Sequence, residues 1–189
     1  MDNFICIITG PIGAGKSYLR YMLVDMGFEV LDLDKVSSDI LHSSEGQNFI
    51  KENFGEAFEG GIFSKARLSE IVFSDREKLN KLEKFIHPKV NIKTDIWIDG
   101  LEKYGFIEVS APQKMFKDYK TIVVNAPEDI RIQRLLNRGM DLDDIKRRID
   151  TQRDSEWWNS LGHCIENLNK DSLSKEVLGL LKEWEWIDE

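Results

Sequence analysis

The residues whose types and spacing speak first to chemistry are Gly10-Pro11-Ile12-Gly13-Ala14-Gly15-Lys16-Ser17. They match G-x-x-x-x-G-K-[ST], the pattern of a loop that holds phosphate groups. Glycines there let backbone N–H groups turn inward and form an anion-binding nest. A helix opening after the loop adds its positive end to the same place. In such a loop Lys16 reaches the outer phosphates of a nucleotide, and the Ser17 hydroxyl is offered to Mg²⁺. The bare pattern also occurs in ordinary glycine-rich turns. Here it follows a short apolar run, Phe4 to Thr9, and precedes a helical pattern, which is the context the chemistry requires.

Carboxylates come next. Asp32 and Asp34 flank Leu33 just past a second apolar run, Phe28 to Leu31. In an extended chain, alternation puts both carboxylates on one side. One of them could then accept a proton from a substrate hydroxyl. The competing reading is that Asp34 caps the helix beginning near Lys35. Glu108 lies in a third run, Phe106 to Val109. It either helps hold Mg²⁺ through water or is an ordinary rim carboxylate. Six of the nine arginines fall in one stretch, and Arg131, Arg134 and Arg138 are spaced to share a helix face. They read either as a lid that closes on a transferring phosphoryl group or as a solvated face balanced by Asp141, Asp143, Asp144 and Asp150. His42, His87 and His163 are too scattered for a nucleophile or metal site. Cys6 and Cys164 sit in apolar stretches and read as small buried hydrophobes.

These groups need a frame. The continuous apolar runs read as strands buried on both faces. Leu19, Met22, Leu23 and Met26 form one helix face, ended by Gly27. From Lys35 to about Gly100 the pattern is helical, broken at Gly55, Gly60 and Gly61. Its clearest part is 74–99, with Pro88 as a kink or break. Further strands are expected at 106–109, 121–124 and 163–166. Pro127-Glu128-Asp129 opens a helix, a polar helical hairpin runs to about Asp154, and a last helix from near Asp171 buries Leu173, Val177, Leu181 and Trp184. Strands alternating with helices make a parallel α/β sheet with ligands at the carboxyl ends of its strands. Gly10, Asp32, Asp34 and Glu108 all fall at such ends.

Bulk properties narrow the partners. The chain has 189 residues, 41% of them hydrophobic, enough for one domain with a sizeable core. A formal net charge of −8 argues against a nucleic-acid surface. No apolar run approaches a membrane span, and Met1 to Cys6 does not read as a signal peptide. The expectation is a soluble, cytoplasmic protein acting on small molecules.

Over nearly its whole length the sequence resembles the dephospho-CoA kinases. Thr9 to Ser17 is close to the family's T-G-G-I-G-S-G-K-S, and Asp32-Leu33-Asp34 is similar to its D-x-D. Leu68 to Phe73, then Leu79, Leu82, Glu83, Ile86, His87 and Pro88, resembles its L-x-x-x-x-F…L-x-x-L-E-x-x-x-H-P run. Arg134-Leu135, Arg138, Arg148-Ile149 and Gln152 look like its lid, and Ile165-Glu166-Asn167 like its I-D-N. The resemblance implies ATP and Mg²⁺ as cofactors and dephospho-CoA as acceptor. It implies a five-stranded parallel P-loop kinase core (1–34, 101–137, 155–189), a helical substrate lobe (about 35–100) and a lid (about 138–154). Nucleotide contacts would come from Gly13, Ala14, Gly15, Lys16, Ser17, Tyr18, Arg138, Arg148 and Asn167. Acceptor contacts would come from Asp32, Asp34, Lys65, His87 and Glu108, with Lys16, Asp34 and Arg138 catalytic and Ser17 and Glu108 on the metal. The sequence departs from the family at Ser38 and Lys65, where arginines are usual, and at Ser110-Ala111-Pro112-Gln113, which replaces P-L-L-F-E. From the residues alone two rivals stay open: another small acceptor such as a nucleoside monophosphate, or a nucleotide-binding relative without turnover.

Overall fold

The computed structural model describes residues 4–110 and 118–188; positions 111–113 of the altered segment lie outside them. In chain order the elements are β1 (Ile5–Thr9), α1 (Lys16–Asp25), β2 (Glu29–Asp32), α2 (Leu33–His42), α3 (Ser44–Asn53), β3 (Phe58–Glu59), β4 (Ile62–Phe63), α4 (Lys65–Phe73) and α5 (Arg76–Asp99). Then follow β5 (Gly105–Glu108), β6 (Lys120–Asn125), α6 (Glu128–Leu136), α7 (Leu142–Asp150), α8 (Ser155–Asn159), β7 (His163–Glu166) and α9 (Lys170–Glu183). The chain divides into two compact units: 1–32 with 101–189, and 33–100.

The first unit is built on a five-stranded sheet in the order β2-β5-β1-β6-β7, every pairing parallel. All five strands occur where the apolar runs place them. Ile7, Ile8, Phe106, Ile107, Ile122 and Val123 are fully buried, as expected when helices cover both faces. One core joins Cys6, Ile8, Leu19, Leu23, Phe106, Val124, Leu173, Val177 and Leu181. Met26, assigned to the α1 core face, is exposed, because α1 ends at Asp25. Gly27 N–H bonds Val24 C=O (2.9 Å) and Phe28 N–H bonds Leu23 C=O (3.0 Å). With Gly27 at φ +88° this is a Schellman closure. Cys164 is likewise exposed, since β7 is an edge strand on which Ile165 alone is buried.

The second unit is helical. Leu41, Ile50, Phe54, Leu68, Val72 and Leu82 form its core, and the Phe49 and Phe85 rings stack 3.9 Å apart. Two features differ from expectation. The glycines at 60 and 61 do not merely break helices: both have positive φ and turn a short antiparallel hairpin, β3–β4. Pro88 does not break α5, which runs through it. Proline removes the bond to the carbonyl four residues earlier, but Lys84 and Pro88 are both exposed, so water can meet that carbonyl. Buried Leu82, Val90 and Thr94 hold the helix on either side.

Candidate active site

The loop after β1 is held in an unusual backbone form. Gly10, Gly13 and Gly15 have φ of +143°, +78° and +112°, conformations that disfavour any side chain. They are also crowded from outside. A Cβ on Gly10 would stand 2.0 Å from Val124 O, and one on Gly15 2.1 Å from Asn167 Nδ2. α1 begins at Lys16 with Gly15 at its N-cap and no side-chain cap, so the positive end of the helix lies at the loop with no side chain of the N-cap residue on its first-turn amides. The Lys16 ammonium curls back and donates to the carbonyls of Gly10 (2.8 Å) and Pro11 (3.3 Å). Ser17 is half-buried in the first turn.

The outer surface of the loop is fastened by side chains from four distant points. Asn167, 4% exposed, donates through Nδ2 to Ala14 O at 2.7 Å. Arg134 donates to Ala14 O (3.1 Å) and Asn167 O (2.9 Å). Arg131 donates to Ala126 O (3.2 Å) and reaches Ile12 O at 3.5 Å. Gln152 Oε1 accepts the Ile12 N–H at 3.0 Å. Burial lowers the affinity of both guanidinium groups for their proton; Glu128 opposes this at Arg131, and Arg138 adds to it at Arg134. Arginine's ordinary value is so high that both stay charged at neutral pH. Arg131 and Arg134 thus brace the loop. They do not share a lid face with Arg138, which lies past the end of α6, where Gly139 at φ +81° closes the helix.

The carboxylates divide. Asp32 and Glu108 are register partners at the carboxyl ends of β2 and β5, and Glu108 also pairs in register with Ile8 of β1. Between them sits Arg20 of α1. It is bonded to Asp32 Oδ2 and lies 3.3 Å from Glu108 Oε2. Asp34 is not at a strand end: the helix starts at Leu33, so Asp34 is exposed in the first turn of α2. Helical rotation, not alternation, sets its direction. Nor is it the cap, which must precede the helix.

The remaining expected residues are placed as follows. Tyr18 turns toward α9, its hydroxyl 3.4 Å from Ser174 Oγ and its ring 5.3 Å from the Lys170 ammonium. Arg138 is exposed. Arg148 is exposed on α7 and donates to Asp144 Oδ2 at 2.9 Å. Lys65, the first residue of α4, is exposed, and His87 is half-buried in α5. Sequence reasoning missed Arg20, whose partners are remote in sequence. It noted Gln152 and Arg134 as motif residues without their role as braces.

The donor set fits a nucleotide triphosphate: a glycine-shaped loop, a helix N-terminus, an ammonium and a hydroxyl close together in the chain. Ser17 and Glu108 offer oxygen donors of the kind Mg²⁺ takes.

Comparison with known proteins agrees. The family model for dephospho-CoA kinase matches residues 4–172. A dephospho-CoA kinase from Carboxydothermus hydrogenoformans is 31% identical over 194 aligned positions, covering 96% of this chain and 94% of the relative. A crystal structure from Thermus thermophilus superposes with a TM-score of 0.81 at 29% identity, covering 95% of this chain and 96% of that one. A dephospho-CoA kinase from Campylobacter jejuni has the same fold, with a TM-score of 0.66 at 23% identity over 95% of this chain and 98% of the other. With its family signature spread across both compact units and its phosphate loop built as described, the chain belongs to the dephospho-CoA kinase family.

Proposed function

We propose that this protein transfers the γ-phosphoryl group of ATP to the 3′-hydroxyl of dephospho-CoA, giving CoA and ADP. The observation that carries the reading is the braced loop of Gly10 to Ser17 in a chain of this family. The amides from Gly13 to Ser17 hold the phosphates, and Lys16 leaves the carbonyls of Gly10 and Pro11 to meet them. Asp34 accepts the 3′-hydroxyl proton as the new O–P bond forms and the bond to ADP breaks. Arg138 and Arg148 neutralise the transferring group. Arg148 gives up Asp144 to do so, and an exposed pair of this kind holds only about 0–1 kcal/mol. Lys65, His87 and Asp32 serve the acceptor, and Asn167, with Ala14, keeps the loop in shape for the nucleotide. Ser17 and Glu108 would hold Mg²⁺, which when bound draws charge from the β- and γ-oxygens. Tyr18, turned toward α9, is left out of the nucleotide site.

The site acts on small molecules in the cytoplasm. No helix among the described residues is long and apolar enough to cross a membrane. A panel of acceptors with ADP release as readout tests the reading: dephospho-CoA should stimulate release strongly. Asp34→Asn should lower kcat by about 10²- to 10⁴-fold with little change in the KM for ATP. Ser38 and Lys65 favour one rival, a different acceptor. Stimulation by a nucleoside monophosphate without any by dephospho-CoA would establish that rival instead.

A further inference from the structure

The peptide between Pro11 and Ile12 is held at both of its polar atoms. Its carbonyl oxygen accepts from the loop's own Ala14 N–H (3.3 Å) and from the Lys16 ammonium (3.3 Å). A trans peptide points its N–H the opposite way. The Ile12 N–H accordingly leaves the loop and meets Gln152 Oε1 at 3.0 Å. The carboxamide that takes this N–H therefore also fixes which way the carbonyl beside Lys16 points. Gln152 in turn belongs to the turn that ends α7. Thr151 keeps helical angles (φ −85°, ψ −9°), and the Gln152 N–H bonds Ile149 C=O at 3.1 Å, so the chain goes on turning past the last residue of the helix. Residues four apart lie on one face of a helix, which puts Arg148 and Gln152 on the same face. Gln152 touches the phosphate loop, so the face that carries Arg148 is turned toward that loop. α7 buries Ile145 alone, near its start, which leaves a polar tie to hold its other end.

We infer that Gln152 is a positioning residue that acts in two directions. Toward the loop it fixes the Pro11–Ile12 peptide and with it the carbonyl that meets Lys16. Through the end of α7 it sets where Arg148 stands relative to the phosphates. The second half rests on the role proposed for Arg148; the first half does not.

The test has two arms. In steady-state assays Gln152→Met should raise the KM for ATP about 3- to 10-fold, the effect of one lost hydrogen bond. It should also lower kcat about 10- to 100-fold, because Arg148 is displaced. The variant Arg148→Met separates the two effects. In that background Gln152→Met should still raise the KM for ATP but lower kcat by less than about threefold further, since the group it positions is gone. Limited proteolysis without nucleotide reads the tie itself. Trypsin cuts after exposed Arg147 and Arg148 when α7 opens. Gln152→Met should speed those cuts about 3- to 10-fold and leave cleavage after Lys51, exposed in the other unit, within about twofold. Gln152→Glu keeps an acceptor and should keep the wild-type cleavage pattern. A wild-type kcat in Gln152→Met, or a further loss of about 10-fold or more in the Arg148→Met background, would overturn the inference. So would wild-type cleavage of α7 in Gln152→Met, or an equal acceleration at Lys51. A wild-type kcat in Arg148→Met alone would overturn its second half. If Gln152→Met does not fold, Gln152→Asn, one methylene too short for the bond, carries the same measurements. If no acceptor is turned over at all, proteolysis and ATP calorimetry still decide the tie to the loop, while the proposed function fails separately.

Discussion

Replacing Gly15 by alanine sets a backbone requirement against a brace. At φ +112° a side chain is strained, at a cost of about 1–2 kcal/mol. The new Cβ would also sit 2.1 Å from Asn167 Nδ2. Asn167 must then move, which breaks its 2.7 Å bond to Ala14 O in a nearly closed environment. A buried amide left without its partner costs about 1–3 kcal/mol. Gly15→Ala alone should therefore lose about 2–5 kcal/mol. Asn167→Ala alone should lose about 1–2 kcal/mol, since Arg134 still reaches Ala14 O at 3.1 Å. Together they should lose less than the sum, because the second change removes the atom the first collides with. The expected coupling is about 1–2 kcal/mol, well above the roughly 0.5 kcal/mol scatter of independent sites. Urea denaturation of wild type, both single variants and the double measures it. Additive losses within that scatter would show that Asn167 does not brace the loop, and the reasoning would fail.

Gln152→Met keeps the side chain's length and removes the acceptor for the Ile12 N–H. It should cost about 0.5–1.5 kcal/mol in denaturation and weaken ATP binding by calorimetry, whereas Gln152→Glu, which keeps an acceptor, should retain the fold's stability more closely. Thiol labelling under native conditions should modify one cysteine. Burial pushes the Cys6 thiol far above its ordinary value, so it keeps its proton and stays inert. Exposed Cys164 should react, more slowly than a free thiol, because partial burial and then Glu166 and Glu176 raise its pKa. The sign follows from the thiolate being the nucleophile: a raised pKa lowers its fraction at any given pH. Its labelling rate should therefore climb with pH across a higher range than that of a model thiol.

How much of this was legible in the sequence depends on the range of each interaction. The five strands were: the three central ones because parallel strands buried on both faces are written as continuous apolar runs such as Ile5 to Ile8, and the edge strands β2 and β7 as shorter stretches between helical patterns. The loop was, because its glycines and lysine are contiguous. The β3–β4 hairpin was not: two residues per strand, half-exposed, carry no periodicity. Asp34 was read either as extended or as the cap of a helix from Lys35, because nothing local shows that helix begins one residue after Asp32. Arg20 was missed for a deeper reason. A lone arginine on a helix reads as solvent-facing, and only strand register brings Glu108 beside Asp32 and within its reach. The Gln152 tie spans 140 residues, beyond any local pattern, and the family motif marks that residue without stating what it touches.

The most direct measurement is the identity of the product. Purified protein incubated with ATP, Mg²⁺ and dephospho-CoA should yield one CoA, phosphorylated at the ribose 3′-oxygen, for each ADP released, as read by mass spectrometry and phosphorus NMR. ADP without a phosphorylated acceptor, or phosphate at any other position, would contradict it.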